Sequence, residues 1–431
     1  MRVIWLQSGH GQPPEPVQRA EAAGDVTILA QTELTEAALQ AHRGLITGML
    51  LDQDAMMDLR PALSRFLDLG GRWVFNGHLV RPLVEGLQPY QPIPAPRRAD
   101  FKLTARVAHP LFAGVQVKDL ETNKGVAGFY GRGSNPPPVG AVVLNTLGDN
   151  VPVDWVWHRP GGGAIFSHAG NDLAQIATMH EIGARVWANL IDWAGGGACV
   201  AEAAPRVTTP PEARAFTTPA PPRDTGNAPR LIATNAGSYY QIQTLEGPRY
   251  RDRFDLVIAP EQLGTTLLPE DVLFIPCRTP PQRMIAQRGL LAAHLAAGGT
   301  IIAMGESRSD LWLPHVAFTA TDTNWWWWLT PGAELGVQIA SPHPLFDTMS
   351  KADVTWHLHG YFDPPAGAQV LLRDDAGRPI AYDDRTSTPG RIIVTSLDPC
   401  YHHGSHFMPA TTRFLDHFLP NLRRLIQQVP A

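Results

Sequence analysis

Hydrophobic residues form short, nearly continuous runs that alternate with amphipathic stretches. The first half of the chain has such runs at Val3–Leu6, Gly44–Met49 and Arg72–Phe75. Short apolar runs of this kind are typical of strands buried on both faces of a parallel sheet. Between the last two runs, the apolar residues from Leu59 to Leu67 keep to one face of a helix. The pattern predicts strand–helix alternation, which favours an α/β fold.

The second half of the chain repeats this pattern. Its apolar runs are Leu231–Thr234, Asp271–Ile275 and Thr300–Met304, with a helix through Leu291 and Leu295 before the last run. Antiparallel segments are expected later in each half, followed by one closing helix. The segments are Ala141–Asn145 with Ala164–Ser167 and Ala368–Arg373 with Arg391–Ser396, and the helices are Ile176–Trp193 and Ala410–Ile426.

Local matches between the halves indicate an internal duplication. Gly70-Gly71 recurs as Gly298-Gly299, and Gly77 recurs as Gly305, in each case 228 positions later. The tetrapeptide His-Pro-Leu-Phe occurs at 109–112 and again at 343–346. A periodic offset of this kind is the signature of repeated structural units.

The duplication defines the predicted architecture. We expect one α/β domain at 1–200, a proline-rich linker at 201–228 and a second α/β domain at 229–431. Proline fixes φ and lacks a backbone donor, so the linker should be extended and semi-rigid. Each domain is predicted to be doubly wound, with a mainly parallel sheet, helices on both faces and an antiparallel extension.

Charge and composition exclude several classes of function. The net charge is −5, without the basic patch that marks nucleic-acid binding. The three cysteines are far apart and form no CxxC pair, which argues against a disulfide framework or a thiolate zinc site. No apolar run reaches 18 residues, so no membrane span is predicted. The N-terminal apolar run is too short for a signal peptide, and we expect a cytoplasmic protein.

Three pairs of segments carry a resemblance to a known family. They are the glycine-flanked strands Gly70–Gly77 and Gly298–Gly305, the two His-Pro-Leu-Phe turns, and the closing segments Gly163–Trp193 and Gly390–Leu422. Together they resemble the ThuA-like branch of the class I glutamine amidotransferase superfamily. The resemblance implies tandem flavodoxin-like, amidotransferase-like domains, and ThuA-like proteins are associated with sugar metabolism.

The resemblance also implies where a nucleophile would lie. Amidotransferases of this superfamily carry a Gly-x-Cys-x-Gly elbow directly after the glycine-flanked strand. Here Leu79 and Ser307 stand at the cysteine position, and the second glycine is missing from both copies. Glutaminase activity by the family mechanism is therefore not expected.

Ser307 and its neighbours are the first candidate for catalysis. A serine on a strand-to-helix elbow can act as a nucleophile when a histidine reaches it. His402 is our candidate base, and Glu306 adds a carboxylate. The alternative is that Ser307 only caps the helix that follows the strand.

Histidines in the second copy are candidate metal ligands. His357 and His359 would share one face of a predicted strand. His402, His403 and His406 are expected in the loop after the last strand, near Asp398 and the elbow. Imidazole with carboxylate suits a divalent metal such as zinc, iron or manganese. The alternative is a polar, hydrogen-bonded loop, and no other cofactor is predicted.

The four consecutive tryptophans Trp325, Trp326, Trp327 and Trp328 are candidates for ligand binding. Four neighbouring indoles cannot all face one core, so some should contact another domain, a subunit or a ligand. In the first copy, His78 and His168 occupy the elbow and the last strand and are candidate ligand-binding residues.

Two hypotheses of function follow from these features. The first is a catalytically degenerate tandem protein that binds a small molecule or a protein partner. The second is a hydrolase of a small polar or carbohydrate-derived substrate, with Ser307 or a histidine-held metal in the second domain. Whether the chain forms a homo-oligomer stays open at this point.

Overall fold

The computed structural model describes residues 3–179, 181–199, 204–226, 228–323, 325–406 and 408–427. The chain divides into two compact units. Unit 1 is Met1–Thr217 with Gly237–Tyr239, and unit 2 is Thr218–Ala236 with Tyr240–Ala431.

The first half of the chain contains the following strands and helices. The strands are β1 Val3–Gln7, β2 Val26–Ala30, β3 Gly44–Thr47, β4 Arg72–Asn76, β5 Gln91–Pro92, β6 Leu103–Ala105, β7 Thr122–Asn123, β8 Val126–Ala127, β9 Gly133–Ser134, β10 Val142–Leu147, β11 Val151–His158 and β12 Ala164–His168. The helices are α1 Glu15–Ala22, α2 Glu36–Gln40, α3 Gln53–Asp58, α4 Arg60–Asp68, α5 Leu173–Ile176 and α6 Glu181–Ala194.

The second half contains a comparable series. The strands are β13 Leu231–Thr234, β14 Leu256–Ile258, β15 Val272–Ile275, β16 Thr300–Ala303, β17 Phe318–Ala320, β18 Gln338–Ile339, β19 Gly360–Phe362, β20 Gln369–Arg373, β21 Pro379–Asp384 and β22 Arg391–Thr395. The helices are α7 Tyr239–Leu245, α8 Leu263–Thr266, α9 Pro281–Ile285, α10 Arg288–Ala296, α11 Lys351–Val354, α12 Pro399–Gly404 and α13 Pro409–Gln427.

Each unit is built on an eight-stranded mixed sheet. The strand order is β2-β1-β3-β4-β12-β11-β10-β6 in unit 1 and β14-β13-β15-β16-β22-β21-β20-β18 in unit 2. The first five strands of each order run parallel, and the last three continue antiparallel. The two sheets therefore share one topology, and the predicted α/β class is confirmed.

Strand alternation explains how the sheet of unit 2 is covered on both faces. Phe274 and Ile302 belong to one apolar cluster, which includes Phe414 from α13. Their sequence neighbours Leu273 and Ile301 belong to another cluster, which includes residues of α10. Because successive side chains of a strand point to opposite faces, the apolar runs supply a core on each side.

Three local predictions were wrong. β10 and β20 do not pair with the strands that close each parallel set, because the unpredicted strands β11 and β21 lie between them. Residues 355–359 form an irregular segment and not a strand. The segment predicted as a loop after the last strand instead begins with helix α12, since Pro399 suits the first turn of a helix.

The predicted linker has neither helix nor strand in the residues that the structure describes, 204–226 and 228. Val207 exchanges backbone hydrogen bonds with Gly140 and Ala141 of unit 1 at 2.8 Å each. Its apolar side chain also packs against the core of that unit. This part of the linker therefore lies along the surface of unit 1.

Close backbone approach requires glycine at the start of the last parallel strand in both units. A Cβ on Gly390 would lie 2.3 Å from the Gly299 carbonyl oxygen and 2.7 Å from that of Leu295. The equivalent Gly163 approaches the carbonyls of Leu67 and Gly71 in the same way. These carbonyls lie at the end of a packed helix and cannot easily move away, so a Cβ has no space at either glycine.

We expect Gly390→Ala to destabilise unit 2, near the upper end of the roughly 1–3 kcal/mol that overpacking costs. The measurement is urea unfolding of the whole chain. Gly289→Ala is the matched control, because a Cβ there meets no atom within 4 Å and helix propensity favours alanine. Equal stabilities of the two variants would contradict the proposed steric requirement.

None of the described helices has the length and apolarity needed to cross a bilayer.

Candidate functional site

Polar side chains of unit 2 gather at the carboxyl edge of its parallel strands. Arg278 follows β15, Glu306 follows β16 and Asp398 follows β22. Because these three strands are neighbours and run parallel, the residues that follow them emerge at the same edge of the sheet. Two histidines from the irregular segment before β19 and one from α12 complete the group. We call Glu306, His357, His359, Asp398 and His402 the His–carboxylate cluster.

Asp398 is the centre of this cluster. It occupies the N-cap position of α12 and is fully buried. One carboxylate oxygen, Oδ2, lies 3.1 Å from Nε2 of His402 and 3.2 Å from Nε2 of His359. The other, Oδ1, lies 3.4 Å from Nε2 of His357 and accepts a hydrogen bond of 3.3 Å from the indole of Trp356. Three imidazoles therefore converge on one carboxylate.

The protonation states of Asp398 and His357 suit the binding of a cation. Burial by itself would raise the pKa of Asp398, but His402, His359 and His357 together hold it well below its usual range. Burial lowers the pKa of His357 to about 4, against the opposing influence of Asp398. Metal ligation requires an ionised carboxylate and a neutral imidazole. Both groups are already in those states near neutral pH.

His357, His402 and Asp398 form a triad in which each residue contacts the other two. These three contacts cannot all be hydrogen bonds. The Nε2 atoms of His357 and His402 lie 2.9 Å apart, and both face the Asp398 carboxylate. An imidazole nitrogen carries at most one hydrogen. If both nitrogens donate to the carboxylate, two N–H groups face each other. If one nitrogen donates to the other, the accepting nitrogen carries no hydrogen and cannot donate to the carboxylate. A cation between the three groups makes every contact favourable.

The distances in this triad fit a first-row metal ion. Zinc bonds of about 2.0–2.1 Å to nitrogen and oxygen place neighbouring ligand atoms of a tetrahedron roughly 3.3 Å apart. The two Nε2 atoms lie 2.9 Å apart, Asp398 Oδ2 lies 3.1 Å from Nε2 of His402, and Asp398 Oδ1 lies 3.4 Å from Nε2 of His357, all near that spacing. Two histidines and one carboxylate leave the fourth position open, as in catalytic zinc sites with three protein ligands.

Glu306 and His359 form the other half of the cluster. Nδ1 of His359 lies 3.3 Å from Glu306 Oε1 and 3.1 Å from the hydroxyl of Thr323. Glu306 has φ of 57° and Arg278 has φ of 59°. Non-glycine residues in this left-handed region are strained, and such strain is concentrated at functional sites. The backbone of both loops is thus held so that the two side chains reach the cluster.

Trp325 lies beside the histidines and reaches solvent. Its ring centroid is 4.1 Å from that of His357 and 5.3 Å from that of His359. The residue is 40% exposed, so part of the indole that does not contact the imidazoles is open. An apolar surface therefore borders the polar cluster.

Two of the predicted metal ligands lie elsewhere. His403 neighbours His402 in α12, and successive helical residues point in directions about 100° apart. Its Nδ1 lies 2.9 Å from the hydroxyl of Thr412, and its ring packs on Tyr250. His406 follows the helix and is exposed. The structure thus brings together His357, His359 and His402, but not these two.

Ser307 is buried and engaged within its own turn. Its hydroxyl donates a 2.6 Å hydrogen bond to the carbonyl of Met304, and its carbonyl accepts from the Trp312 indole. Arg308, not Ser307, occupies the N-cap of the 3₁₀ turn that follows. No described contact brings a histidine to Ser307, so this geometry does not provide the base that a serine nucleophile needs.

The other candidate aromatics and histidines have varied surroundings. Trp326 and Trp327 are half-buried, whereas Trp328 is 47% exposed and donates to the carbonyl of Trp325. In unit 1, the ring of His78 lies 3.8 Å from that of Tyr90. His168 is fully buried, and its Nδ1 donates to Asp154 at 2.7 Å.

Sequence reasoning missed Arg278. Its Nε lies 2.6 Å from Glu306 Oε2, its Nη2 lies 3.4 Å from Asp398 Oδ2, and its guanidinium stacks 3.3 Å from the centroid of Tyr401. Its position in the sequence could have identified it. Arg278 follows β15, and the residues after that strand lie at the same edge of the sheet as the predicted elbow.

The corresponding edge of unit 1 carries different groups. Asp172 occupies the N-cap of α5, as Asp398 does for α12. Its Oδ1 accepts a 2.6 Å hydrogen bond from the backbone of Met49, and burial raises its pKa to about 7. In the described part of the chain, groups of three or more potential metal ligands occur only in unit 2.

Comparisons with known proteins do not assign the chain to a family. No protein-family model matches it, and no curated protein matches it. A cytoplasmic protein from Salmonella typhimurium is similar over 45% of this chain and 98% of its own, at 10% identity and a TM-score of 0.31. The mmIFT52 N-terminal domain is similar over 46% of this chain and 100% of its own, at 14% identity and 0.31. An exo-β-1,4-mannosidase from Opitutaceae bacterium strain TAV5 is similar over 47% of this chain and 37% of its own, at 10% identity and 0.30. Similarities this low carry no functional inference, so the site is interpreted from its own geometry.

Proposed function

We propose that unit 2 binds one divalent metal ion through His357, His402 and Asp398 and hydrolyses a small polar or carbohydrate-derived substrate. The observation that carries this proposal is the close approach of the Nε2 atoms of His357 and His402, which lie 2.9 Å apart and contact the two oxygens of the Asp398 carboxylate at 3.4 and 3.1 Å. Hydrogen bonds cannot satisfy all three contacts, whereas a metal ion can. Three protein ligands leave room for a substrate or water oxygen.

The surrounding residues would then have distinct roles. A divalent ion supplies Lewis acidity, which polarises a substrate oxygen and lowers the pKa of water. Glu306, whose carboxylate lies within 4.8 Å of a ligand atom of Asp398, is placed to accept a proton from the attacking water. His359 orients that carboxylate from its other side. Trp325 offers the exposed apolar face on which a sugar ring would stack.

We also propose that each unit is a ThuA-like, class I amidotransferase-like domain with a flavodoxin-like arrangement. The common strand order of the two sheets supports this assignment. So does the sharp turn after β16, where Glu306 adopts a positive φ in the region where the family places its nucleophile elbow. On this assignment the elbow of unit 2 would present the carboxylate of Glu306, one position before the residue that the family fills with cysteine.

A catalytically degenerate tandem protein is the second candidate function. The observation in its favour is the exposed aromatic surface of Trp325 and Trp328, 40% and 47% exposed, together with the engaged hydroxyl of Ser307. Exposed apolar patches rimmed by polar groups mark binding sites for ligands or partners. In that case the cluster would bind its ligand without turnover.

Metal analysis of the purified chain tests the proposed centre. We expect about one equivalent of zinc or another first-row divalent metal by plasma mass spectrometry. His402→Ala should lower that content to about a tenth of an equivalent or less, because two ligands rarely retain a metal ion that three were needed to hold. Asp398→Asn should do the same, since it removes the anionic ligand.

The neighbouring histidines provide matched controls. His403→Gln changes the adjacent helical residue, which contacts Thr412, and should leave the metal content at one equivalent. His406→Asn changes an exposed residue at φ of 58°, a conformation that asparagine tolerates. Absence of metal in the wild-type chain after growth and dialysis with added zinc, or equal loss in the control variants, would contradict the proposed centre.

A further inference from the structure

The His–carboxylate cluster contains two overlapping sets of potential ligands. The first set is His357, Asp398 and His402, and the second set is Glu306, His359 and Asp398. In each set the ligand atoms lie within 4.8 Å of one another. Asp398 belongs to both sets. A carboxylate shared in this way resembles the bridging ligand of a two-metal site, in which the ions lie roughly 3.5–4 Å apart.

A side-chain cation contacts both carboxylates of the second set. Arg278 Nε lies 2.6 Å from Glu306 Oε2, and Arg278 Nη2 lies 3.4 Å from Asp398 Oδ2. The guanidinium thus lies against both carboxylates of this set. The central carbon of the guanidinium, Cζ, also lies 3.3 Å from the centroid of the Tyr401 ring, and this stacking fixes the plane of the group. The side chain is only 12% exposed.

Arg278 is held at this position by a strained backbone. Its φ of 59° lies in the left-handed region, which costs a non-glycine residue free energy. The same is true of its partner Glu306. Two adjacent loops with strained backbones therefore converge to form one ion pair beside the metal triad. Such strain persists only where surrounding contacts determine the conformation.

Charge balance explains why a cation is needed there. Glu306 and Asp398 place two carboxylates within one small cluster, and burial of like charges without a counterion is costly. A guanidinium remains protonated under all ordinary conditions and satisfies oxygen ligands in a fixed plane. Unlike a metal ion, it accepts no further ligand and supplies no open coordination position.

We propose that the guanidinium of Arg278 takes the place of a second divalent ion in a carboxylate-bridged two-metal site. The second set of ligands, Glu306, His359 and Asp398, is then a latent metal site that Arg278 keeps closed. This inference rests on the proposed metal centre at the first set. It assigns to Arg278 the electrostatic role that a second metal would have beside a reacting oxygen.

The number of metal ions bound by Arg278 variants tests the inference. The full chain is stripped with chelator and titrated with Mn²⁺ or Zn²⁺, and bound metal is measured by calorimetry and plasma mass spectrometry. We expect one ion in the wild type and one in Arg278→Lys, which retains a charge. We expect two ions in Arg278→Ala, and one again in Arg278→Ala combined with Glu306→Gln.

The outcomes separate this inference from the proposed function. One ion in the wild type and one in Arg278→Ala would overturn the latent site and leave the proposed centre intact. No ion in the wild type would overturn the proposed centre, and no ion in either protein would overturn both. Two ions in the wild type would also show that the guanidinium does not close the second site.

A second variant covers the case in which Arg278→Ala does not fold without metal. Arg278→Gln removes the charge but retains a polar side chain at the cluster. Refolding of either variant in excess Mn²⁺ should yield two bound ions with the broadened electron paramagnetic resonance signal of a coupled pair. An isolated single-ion signal at saturating Mn²⁺ would overturn the inference.

Discussion

Glu306→Gln is expected to lower metal-dependent turnover by roughly 10²–10⁴-fold while the chain still binds one metal ion. This is the range over which a positioned general base contributes to a reaction. Glutamine keeps the size of the side chain and its hydrogen-bonding oxygen but cannot accept the proton. The metal triad contains His357, His402 and Asp398 and is untouched by this substitution. Turnover is measured with a panel of p-nitrophenyl esters, phosphates and glycosides.

Asp310→Asn is the matched control for this prediction. Asp310 lies on the same connection after β16 and pairs with Arg308 at 2.8 Å, outside the cluster. It should retain wild-type turnover. If Glu306→Gln and Asp310→Asn behave alike on a substrate that the wild type hydrolyses, Glu306 is not the base. If the metal-loaded wild type turns over no member of the panel, the degenerate binding protein becomes the better description.

Asp172→Asn is expected to stabilise unit 1 at neutral pH. Burial raises the pKa of Asp172 to about 7, so ionisation of this carboxyl costs free energy in the folded protein. A shift from about 4 to about 7 corresponds to at most about 4 kcal/mol. The side chain is only partly buried at the surface of the unit, so the measured gain should be smaller. Asparagine keeps the oxygen that accepts from Met49.

The pH dependence of this gain has a defined direction. Because the folded pKa is above the unfolded value, protonated Asp172 contributes stability that is fully present below pH 4. That contribution is lost as pH rises through about 7. The difference in unfolding free energy between Asp172→Asn and wild type should therefore be near zero at pH 4 and largest at pH 8. Urea unfolding of the whole chain at both pH values measures it.

Asp149→Asn, on an exposed turn of unit 1, is the matched control. It should change the free energy of unfolding little at either pH, because exposed substitutions seldom exceed about 0.5 kcal/mol. A stability gain from Asp172→Asn that is the same at pH 4 and pH 8 would contradict the raised pKa. A pH-dependent gain would also show a difference between the units, because the pKa of Asp398, at the matching helix start of unit 2, is lowered by three histidines.

Hydrophobic periodicity was sufficient to predict the α/β class. The strands at Val3–Gln7, Arg72–Asn76 and Thr300–Ala303 coincide closely with the predicted apolar runs. Helix α13 likewise begins and ends within one residue of the predicted bounds. The strands are apolar except at their ends and the helix is long, so local sequence determines these elements. The unpredicted strand Val151–His158 has a mixed pattern, and only its pairing with two neighbours defines it.

The candidate site depended more strongly on tertiary structure. The sequence determined that the second half is rich in histidine, that Glu306 follows a buried strand, and that no elbow cysteine exists. It could not show that His402 joins the cluster while His403 contacts Thr412, because that depends on where a helix of six residues starts. It placed Arg278 and Glu306 after two predicted strands but did not show that these strands are neighbours in the sheet. Contacts between separate loops depend on the order of parallel strands in the sheet, and that order is decided by packing of the whole unit and not by local residue pattern.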